Sequence, residues 1–235
     1  MALSFATFGT SVLTARIVPA MYLVLFVLAA YFLVRRQYGV VPASIAVSLI
    51  ATFPLLYGNG KSELGEVPAL FWFVLGLGSL YALEKSNYKS VRAAVLTGLF
   101  LGLSFAAKFT FMLIVPAVAI VLVLRFKTLR AELTPKALGA GIIGFLLPVL
   151  LWLFLQFGPG DSLATTLSFF ANPYGYGGEA LGAGILANLV RFVTETTPFY
   201  FLAIFAPWVV SVLLRRRSVT TSELFALIFS VFVVL

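Results

Sequence analysis

Residues 12–34 read VLTARIVPAMYLVLFVLAAYFLV and end at Arg35-Arg36. A helix rises about 1.5 Å per residue, so roughly 20 apolar residues cross the ~30 Å of membrane hydrocarbon. This stretch is long enough to do so, and Arg16 is its only charged residue. It therefore predicts a transmembrane helix that stops at a pair of arginines.

Seven further apolar runs repeat this pattern, at residues 40–57, 67–83, 91–107, 109–124, 138–157, 199–214 and 224–235. The chain is 62% hydrophobic and only 10% charged, whereas soluble domains carry roughly 25% charged residues. The prediction is an all-α polytopic transmembrane helical bundle of roughly eight spans, seven complete and the last truncated. The short final run and a start without a basic signal-peptide region favour part of a longer protein, although a complete small protein stays open.

The basic residues give this bundle an orientation. Twelve of the 16 Lys and Arg residues fall in loops on one side of the predicted spans, which the positive-inside rule assigns to the cytoplasm. The N-terminus is then extracytoplasmic, in an inner or plasma membrane. The same rule explains the net charge of +8, so nucleic acid is not an expected partner. The chain has no Cys and no His, which excludes disulfides, thiol catalysis and His-ligated metals.

Residues 1–235 are interpreted as one partial transmembrane domain, with an extracytoplasmic loop at residues 158–198. This loop is rich in Gly and aromatic residues, and residues 181–193 have the pattern of an interfacial amphipathic helix with Arg191 on its polar face. Long loops of this kind are often functional lids, although a disordered connector would have the same composition. Asp161 and Arg191 are the loop's substrate-binding candidates.

Three charged residues cluster in the preceding extracytoplasmic loop, Lys61, Glu63 and Glu66. Carboxylates at a helix start also favour the positive end of the helix dipole, so a structural role stays open. As a functional site, the carboxylates would orient sugar hydroxyls and the lysine would meet a phosphate. Lys108 lies in a hairpin too short for a solvated loop, where it either snorkels to the interface or binds a lipid-borne phosphate. Arg16, near the start of the first span, presents the same two alternatives.

Residues 139–144 read GAGIIG and match the dinucleotide fingerprint G-x-G-x-x-G. That motif needs a preceding strand and a solvated helix start, whereas these glycines lie in an apolar run that begins from Thr134-Pro135-Lys136. Close helix packing through small residues is the better interpretation, and it applies equally to Gly98 and Gly102.

The order of three passages resembles the GT-C superfamily of integral-membrane glycosyltransferases, in the branch of the protein O-mannosyltransferases and lipid A aminoarabinose transferases. The passages are ARIVP at residues 15–19 leading to RRQYG at 35–39, FPLLY at 53–57 followed by GKSELGEVPALF at 60–71, and TGLFLGLS at 97–104 continuing to Ala107-Lys108. Together they cover about half of the chain. The resemblance implies transfer of a sugar from a polyprenyl-phosphate donor to an extracytoplasmic lipid, glycan or protein acceptor.

The resemblance also implies roles for individual residues. Lys108 and Arg16 would lie in the donor phosphate region, and Glu63 and Glu66 near the sugar or acceptor as supporting candidates. Family members carry a catalytic aspartate in the first extracytoplasmic loop, but no acid precedes Glu63 here, so the main catalytic acid is expected upstream of this chain. No cofactor is assigned, and a divalent metal is left open. A transporter or flippase for a lipid or small solute, and a scaffold subunit without chemistry, are the alternative functions.

Overall fold

The computed structural model describes residues 9–53, 65–158 and 218–234, together with isolated positions at 7, 56, 164, 165, 168, 186, 190, 193, 194, 206, 209 and 210. Within these ranges the chain is helical. The helices are α1 (Val12–Tyr38), α2 (Val40–Thr52), α3 (Glu66–Lys85), α4 (Val91–Ala107), a 3₁₀ helix (Phe109–Leu113), α5 (Ile114–Leu124), α6 (Phe126–Glu132), α7 (Pro135–Phe157) and α8 (Thr221–Val234).

The all-α transmembrane architecture predicted from the sequence is confirmed. Three helices in the described part of the chain are long and apolar enough to cross a membrane, Ala15–Tyr38, Glu66–Lys85 and Pro135–Phe157. A fourth span is present if α5 and α6 count as one element bent by 83°, and α2, α4 and α8 are shorter apolar helices. The predicted span at 199–214 and the interfacial helix at 181–193 lie largely outside the described residues, so the total of eight spans stays a prediction.

Several helix ends differ from the apolar runs. The prediction that α1 stops at Arg35-Arg36 is wrong: the helix continues to Tyr38, because arginine is compatible with a helix and ends only the apolar run. Local chemistry explains two further differences. α2 ends at Thr52 rather than at residue 57, because Phe53 is extended (φ −70°, ψ 113°) and a residue before proline disfavours the helical region. α7 begins at Pro135 rather than at Leu138. Its N-cap is Thr134, whose side chain accepts a hydrogen bond of 3.2 Å from the Ala137 N–H, and proline suits the first helical position.

The most extensive helix contact is between α4 and α7, and it depends on glycine. A Cβ atom on Gly98 would lie 2.0 Å from the Gly141 carbonyl oxygen, and one on Gly102 would lie 2.5 Å from that of Phe145. A Cβ on Gly144 would lie 2.5 Å from the Val95 oxygen. The interpretation of Gly98, Gly102 and Gly144 as a packing surface is confirmed, because the backbones approach closer than any side chain permits. Gly139 is not part of this surface, because no described atom lies within 4 Å of an added Cβ there.

An aromatic cluster joins α3, the 3₁₀ helix and α8. The ring of Phe73 lies 4.4 Å from that of Phe229 and 6.0 Å from that of Phe111, measured between centroids. Phe225 in the same cluster is 1% exposed. These contacts hold α8 beside α3 and α5 although more than 90 residues separate α8 from α5 in the sequence.

Because successive long helices run in opposite directions, the bundle has two ends. The end at which α1, α3 and α5 finish carries most of the positive charge and is called the basic end; its cations include Arg35, Arg36, Lys85, Lys89, Arg92, Arg125, Lys127, Arg130 and Lys136. The end at which α3 begins and α4 finishes carries Glu66 and Lys108 and is called the Glu66 end.

Candidate functional site

Two of the sequence-predicted residues meet at the Glu66 end. The Lys108 Nζ lies 2.9 Å from the Glu66 Oε1 and forms an ion pair with it. Lys108 is the C-cap residue of α4, and Glu66 is the first residue of α3. It is the only ion pair found within the described part of the chain. The two residues are 42 positions apart in the sequence, so the fold and not the local chain brings them together.

A glycine and a serine permit this approach. A Cβ atom on Gly65 would lie 2.3 Å from the Ala107 carbonyl oxygen, so only glycine lets the start of α3 lie against the end of α4. The Ser104 hydroxyl, fully buried, donates a hydrogen bond of 2.8 Å to the Ala69 carbonyl oxygen and joins the same two helices one turn deeper. The relative position of Glu66 and Lys108 is therefore fixed by backbone contacts on both sides.

The backbone at Lys108 holds its side chain at this boundary. Lys108 is extended (φ −151°, ψ 125°) between α4 and the 3₁₀ helix; its N–H donates to the Ser104 oxygen at 3.3 Å, and its own carbonyl accepts from Phe111 at 2.9 Å. A single residue thus forms the connection, as predicted. A lysine in such a connection cannot move away from the helix ends as it could in a longer loop.

The ion pair is partly buried and incompletely bonded. The Lys108 and Glu66 side chains are 21% and 29% exposed, so water screens their attraction less than at an open surface. The second carboxylate oxygen of Glu66, Oε2, is buried and has no hydrogen-bond partner among the described residues. An unsatisfied buried acceptor is uncommon in native structures and is the kind of group that a ligand hydroxyl satisfies. The site thus combines a positive charge with a carboxylate oxygen that can accept a hydrogen bond.

The other predicted site residues are not brought into this arrangement by the described structure. Arg16 lies in the first turns of α1 and is exposed, and within the described ranges no hydrogen bond or ion pair connects it to Glu66 or Lys108. Lys61, Glu63, Asp161 and Arg191 lie outside the described residues, so their roles stay predictions. Within the described ranges, no group of three acidic residues comes together as a metal site.

A second polar cluster, at the basic end, was not predicted from the sequence. The Thr221 N–H donates to both carboxylate oxygens of Glu84 at 3.0 Å, and the hydroxyls of Thr221 and Tyr88 are 2.6 Å apart. Burial is the main cause that raises the pKa of the Tyr88 phenol above its ordinary value. These bonds attach the start of α8 to the turn between α3 and α4.

The start of α8 also has a capping box. The Thr220 N–H donates to the Glu223 Oε2 at 2.7 Å, and the Glu223 N–H donates to the Thr220 hydroxyl at 3.2 Å. Tyr38 donates to the other oxygen of Glu223, and Arg125 donates to the Val219 carbonyl. The residues 220–223 read TTSE, and this S/T-x-x-E signature was visible in the sequence. This cluster positions helices, and its groups are largely bonded to one another.

The described helices form an apolar bundle, and a half-buried lysine–carboxylate pair lies at one end of it. These features indicate an integral-membrane protein with a polar ion pair at the membrane boundary. Residues 1–152, about two thirds of the chain, match the family model described as dolichyl-phosphate-mannose-protein mannosyltransferase. The chain belongs to this family and therefore to the GT-C membrane glycosyltransferases, which use lipid-linked sugar donors. Neither the curated proteins nor the solved structures contain a match to it.

Proposed function

We propose that the protein transfers a sugar from a polyprenyl-phosphate donor to an acceptor at the Glu66 end, and that this end is extracytoplasmic. The observation that carries the proposal is the ion pair between Lys108 and Glu66. The unequal distribution of Lys and Arg supports the orientation, because the basic end then lies in the cytoplasm. The family membership supports a lipid-linked donor.

In this proposal Lys108 binds the donor phosphate. A polyprenyl phosphate presents its charged group at the membrane surface, and the Nζ of Lys108 lies at the ends of two apolar helices. A flexible ammonium group forms charge-assisted hydrogen bonds with phosphate oxygens. In the absence of donor, Glu66 holds the lysine at 2.9 Å and compensates its charge.

Glu66 has a second role in this proposal. Its Oε2 is buried without a partner among the described residues, so it can accept a hydrogen bond from a sugar or acceptor hydroxyl while Oε1 holds Lys108. Glu66 is then a binding and positioning residue.

The test is sugar transfer by membranes that contain the full-length gene product, with radiolabelled donors that differ in sugar. Lys108→Met should raise the donor KM about 10- to 100-fold, because a hydrogen bond to a charged group contributes about 1.5–3 kcal/mol. Lys89→Met is the matched control: Lys89 is exposed in a turn at the basic end, and its loss should leave KM unchanged. No transfer and no binding with any donor would reject the proposal.

A double-substitution experiment separates the two roles of Glu66. If Glu66 only positions Lys108, then Glu66→Gln should add little to the effect of Lys108→Met. If Glu66 also bonds a substrate hydroxyl, the two effects should be largely additive. An unchanged donor KM in both single variants would show that the ion pair is structural.

A further inference from the structure

A cavity of about 370 Å³ lies between α3, α4, α5, α6, α7 and α8, in the half of the bundle toward the basic end. This volume is within the ~300–1,000 Å³ of small-ligand sites. Its walls are almost entirely apolar, with Leu101, Val118, Leu129, Gly141, Phe145 and Phe225 among the lining residues. It is separate from the Glu66–Lys108 site, which lies at the opposite end of α4.

The few hydroxyl groups in the cavity wall are already bonded. The Thr97 hydroxyl donates to the Ala93 carbonyl oxygen at 2.8 Å, and those of Tyr88 and Thr221 bond one another at 2.6 Å. A polar ligand or a chain of waters would find few partners here. The part of a ligand that enters this cavity must therefore be a hydrocarbon chain.

The depth and opening of the cavity match one leaflet of a membrane. On α7 its lining runs from Ala137 to Leu146, ten residues that span about 14 Å of helix, which is close to half of the ~30 Å hydrocarbon thickness. α5 and α7 do not pack extensively on each other. The lining residues on their facing sides are 42–50% exposed: Val115, Leu122, Leu138, Ile142 and Leu146. Among the described residues no helix covers this side, so the cavity opens laterally toward the membrane there.

Two cations, with Glu132 between them, are next to cavity-lining residues in the sequence at the basic end. Arg130 follows the lining residue Leu129, and Lys136 precedes the lining residue Ala137; both cations are exposed. α6, which carries Arg130, is bent by 83° from α5 and thus lies across the end of the bundle. Cations beside an apolar cavity at the membrane boundary match a lipid with an anionic headgroup.

From this geometry we infer a lipid-binding site: one chain of an anionic glycerophospholipid, from the leaflet at the basic end, occupies the cavity, and its phosphate contacts Arg130 and Lys136. The bound chain fills space between α5 and α7, which do not pack extensively on each other, and so stabilises the bundle. This site is distinct from that of the proposed sugar donor.

The experiment uses the full-length protein in detergent, with phosphatidylglycerol or phosphatidylcholine added. Native mass spectrometry should detect one retained phosphatidylglycerol at least 10-fold more often than phosphatidylcholine, and phosphatidylglycerol should raise the unfolding temperature more. Val118→Trp, which fills the cavity, should reduce retention about 10-fold. Ile120→Trp on the same helix is the control, because Ile120 is exposed outside the cavity and its substitution should leave retention unchanged.

The headgroup test uses Arg130→Gln with Lys136→Gln, which should remove the preference for phosphatidylglycerol, and Arg35→Gln as the control. Arg35 is exposed at the basic end on α1, and no α1 residue is among the described residues that line the cavity. If Val118→Trp does not fold, Leu122→Trp at the opening replaces it. Equal retention of the two phospholipids, retention unaffected by either Trp variant, or displacement by polyprenyl phosphate would each overturn the inference.

Discussion

Gly65→Ala tests whether the approach of α3 to α4 sets the geometry of the proposed site. The added Cβ would lie 2.3 Å from the Ala107 carbonyl oxygen, whereas carbon and carbonyl oxygen atoms normally stay at least about 3.3 Å apart. The start of α3 must therefore move by about 1 Å. The adjacent residue, Glu66, moves with it.

The functional magnitude follows from this displacement. A shift of about 1 Å lengthens the 2.9 Å contact between Lys108 Nζ and Glu66 Oε1 beyond hydrogen-bond distance. The loss of a charge-assisted hydrogen bond corresponds to about 1.5–3 kcal/mol, and a misplacement of this size in a binding site costs up to about 100-fold in rate. We expect kcat/KM for sugar transfer to fall about 10- to 100-fold.

Stability should fall as well, because forcing extra volume into a packed contact costs about 1–3 kcal/mol. The matched control is Gly78→Ala in the middle of α3, where the nearest atom to an added Cβ is the Leu33 Cδ1 at 3.8 Å. This control should be neutral or stabilising by about 0.5–1 kcal/mol, because alanine favours helix interiors over glycine. The assays are donor-dependent transfer in membranes and the thermal unfolding midpoint in detergent.

The two readouts distinguish two ways in which the reasoning can fail. If Gly65→Ala matches Gly78→Ala in both activity and unfolding midpoint, the close approach of α3 and α4 is not a constraint. If the midpoint falls but transfer is unchanged, the packing is as described and the Glu66–Lys108 pair is not part of the substrate site.

Three further predictions concern the rest of the bundle. Gly98→Ala should lower stability by about 1–3 kcal/mol in chemical unfolding, whereas Gly139→Ala, with nothing within 4 Å of the added Cβ, should not; equal effects would contradict the α4–α7 contact. Thr134→Ala should cost about 1 kcal/mol through the lost cap of α7, and Thr134→Ser should restore it. Tyr88→Phe should cost about 0.5–1.5 kcal/mol at neutral pH through the lost hydrogen bond to Thr221. Because burial raises the pKa of Tyr88, the contribution of this residue to the stability of the fold is constant below about pH 10 and is lost as pH rises through the raised pKa. Unfolding midpoints measured from pH 7 to 11 should therefore fall less in the phenylalanine variant than in the unsubstituted protein.

The fold class and most helix positions could be predicted from the sequence, because a membrane span requires a long apolar run and α4 begins and ends where that run does. The ends that differed depend on single residues. Phe53 is extended before a proline and Thr134 caps α7, and both effects are local chemistry that hydropathy alone does not measure.

The candidate site was predictable only in part. Glu66 and Lys108 stood out singly, as charges next to apolar runs, but their contact could not be predicted because it depends on how α3 packs on α4. Gly65 did not predict the close approach of α3 to α4, since a glycine before a helix has several common roles. The cluster around Glu84 and Thr221 was missed because its residues are ordinary in composition and lie 137 positions apart.

The sequence by itself determined that this protein is an α-helical membrane protein. The length of an apolar segment decides whether it can cross the bilayer, and the distribution of positive charge sets the orientation; both are properties of the sequence alone. Only the tertiary structure decided that Lys108 meets Glu66 and that an apolar cavity opens between α5 and α7. The physical reason is that both features depend on distances between helices. Those distances are set by glycine contacts and aromatic packing among residues far apart in the sequence.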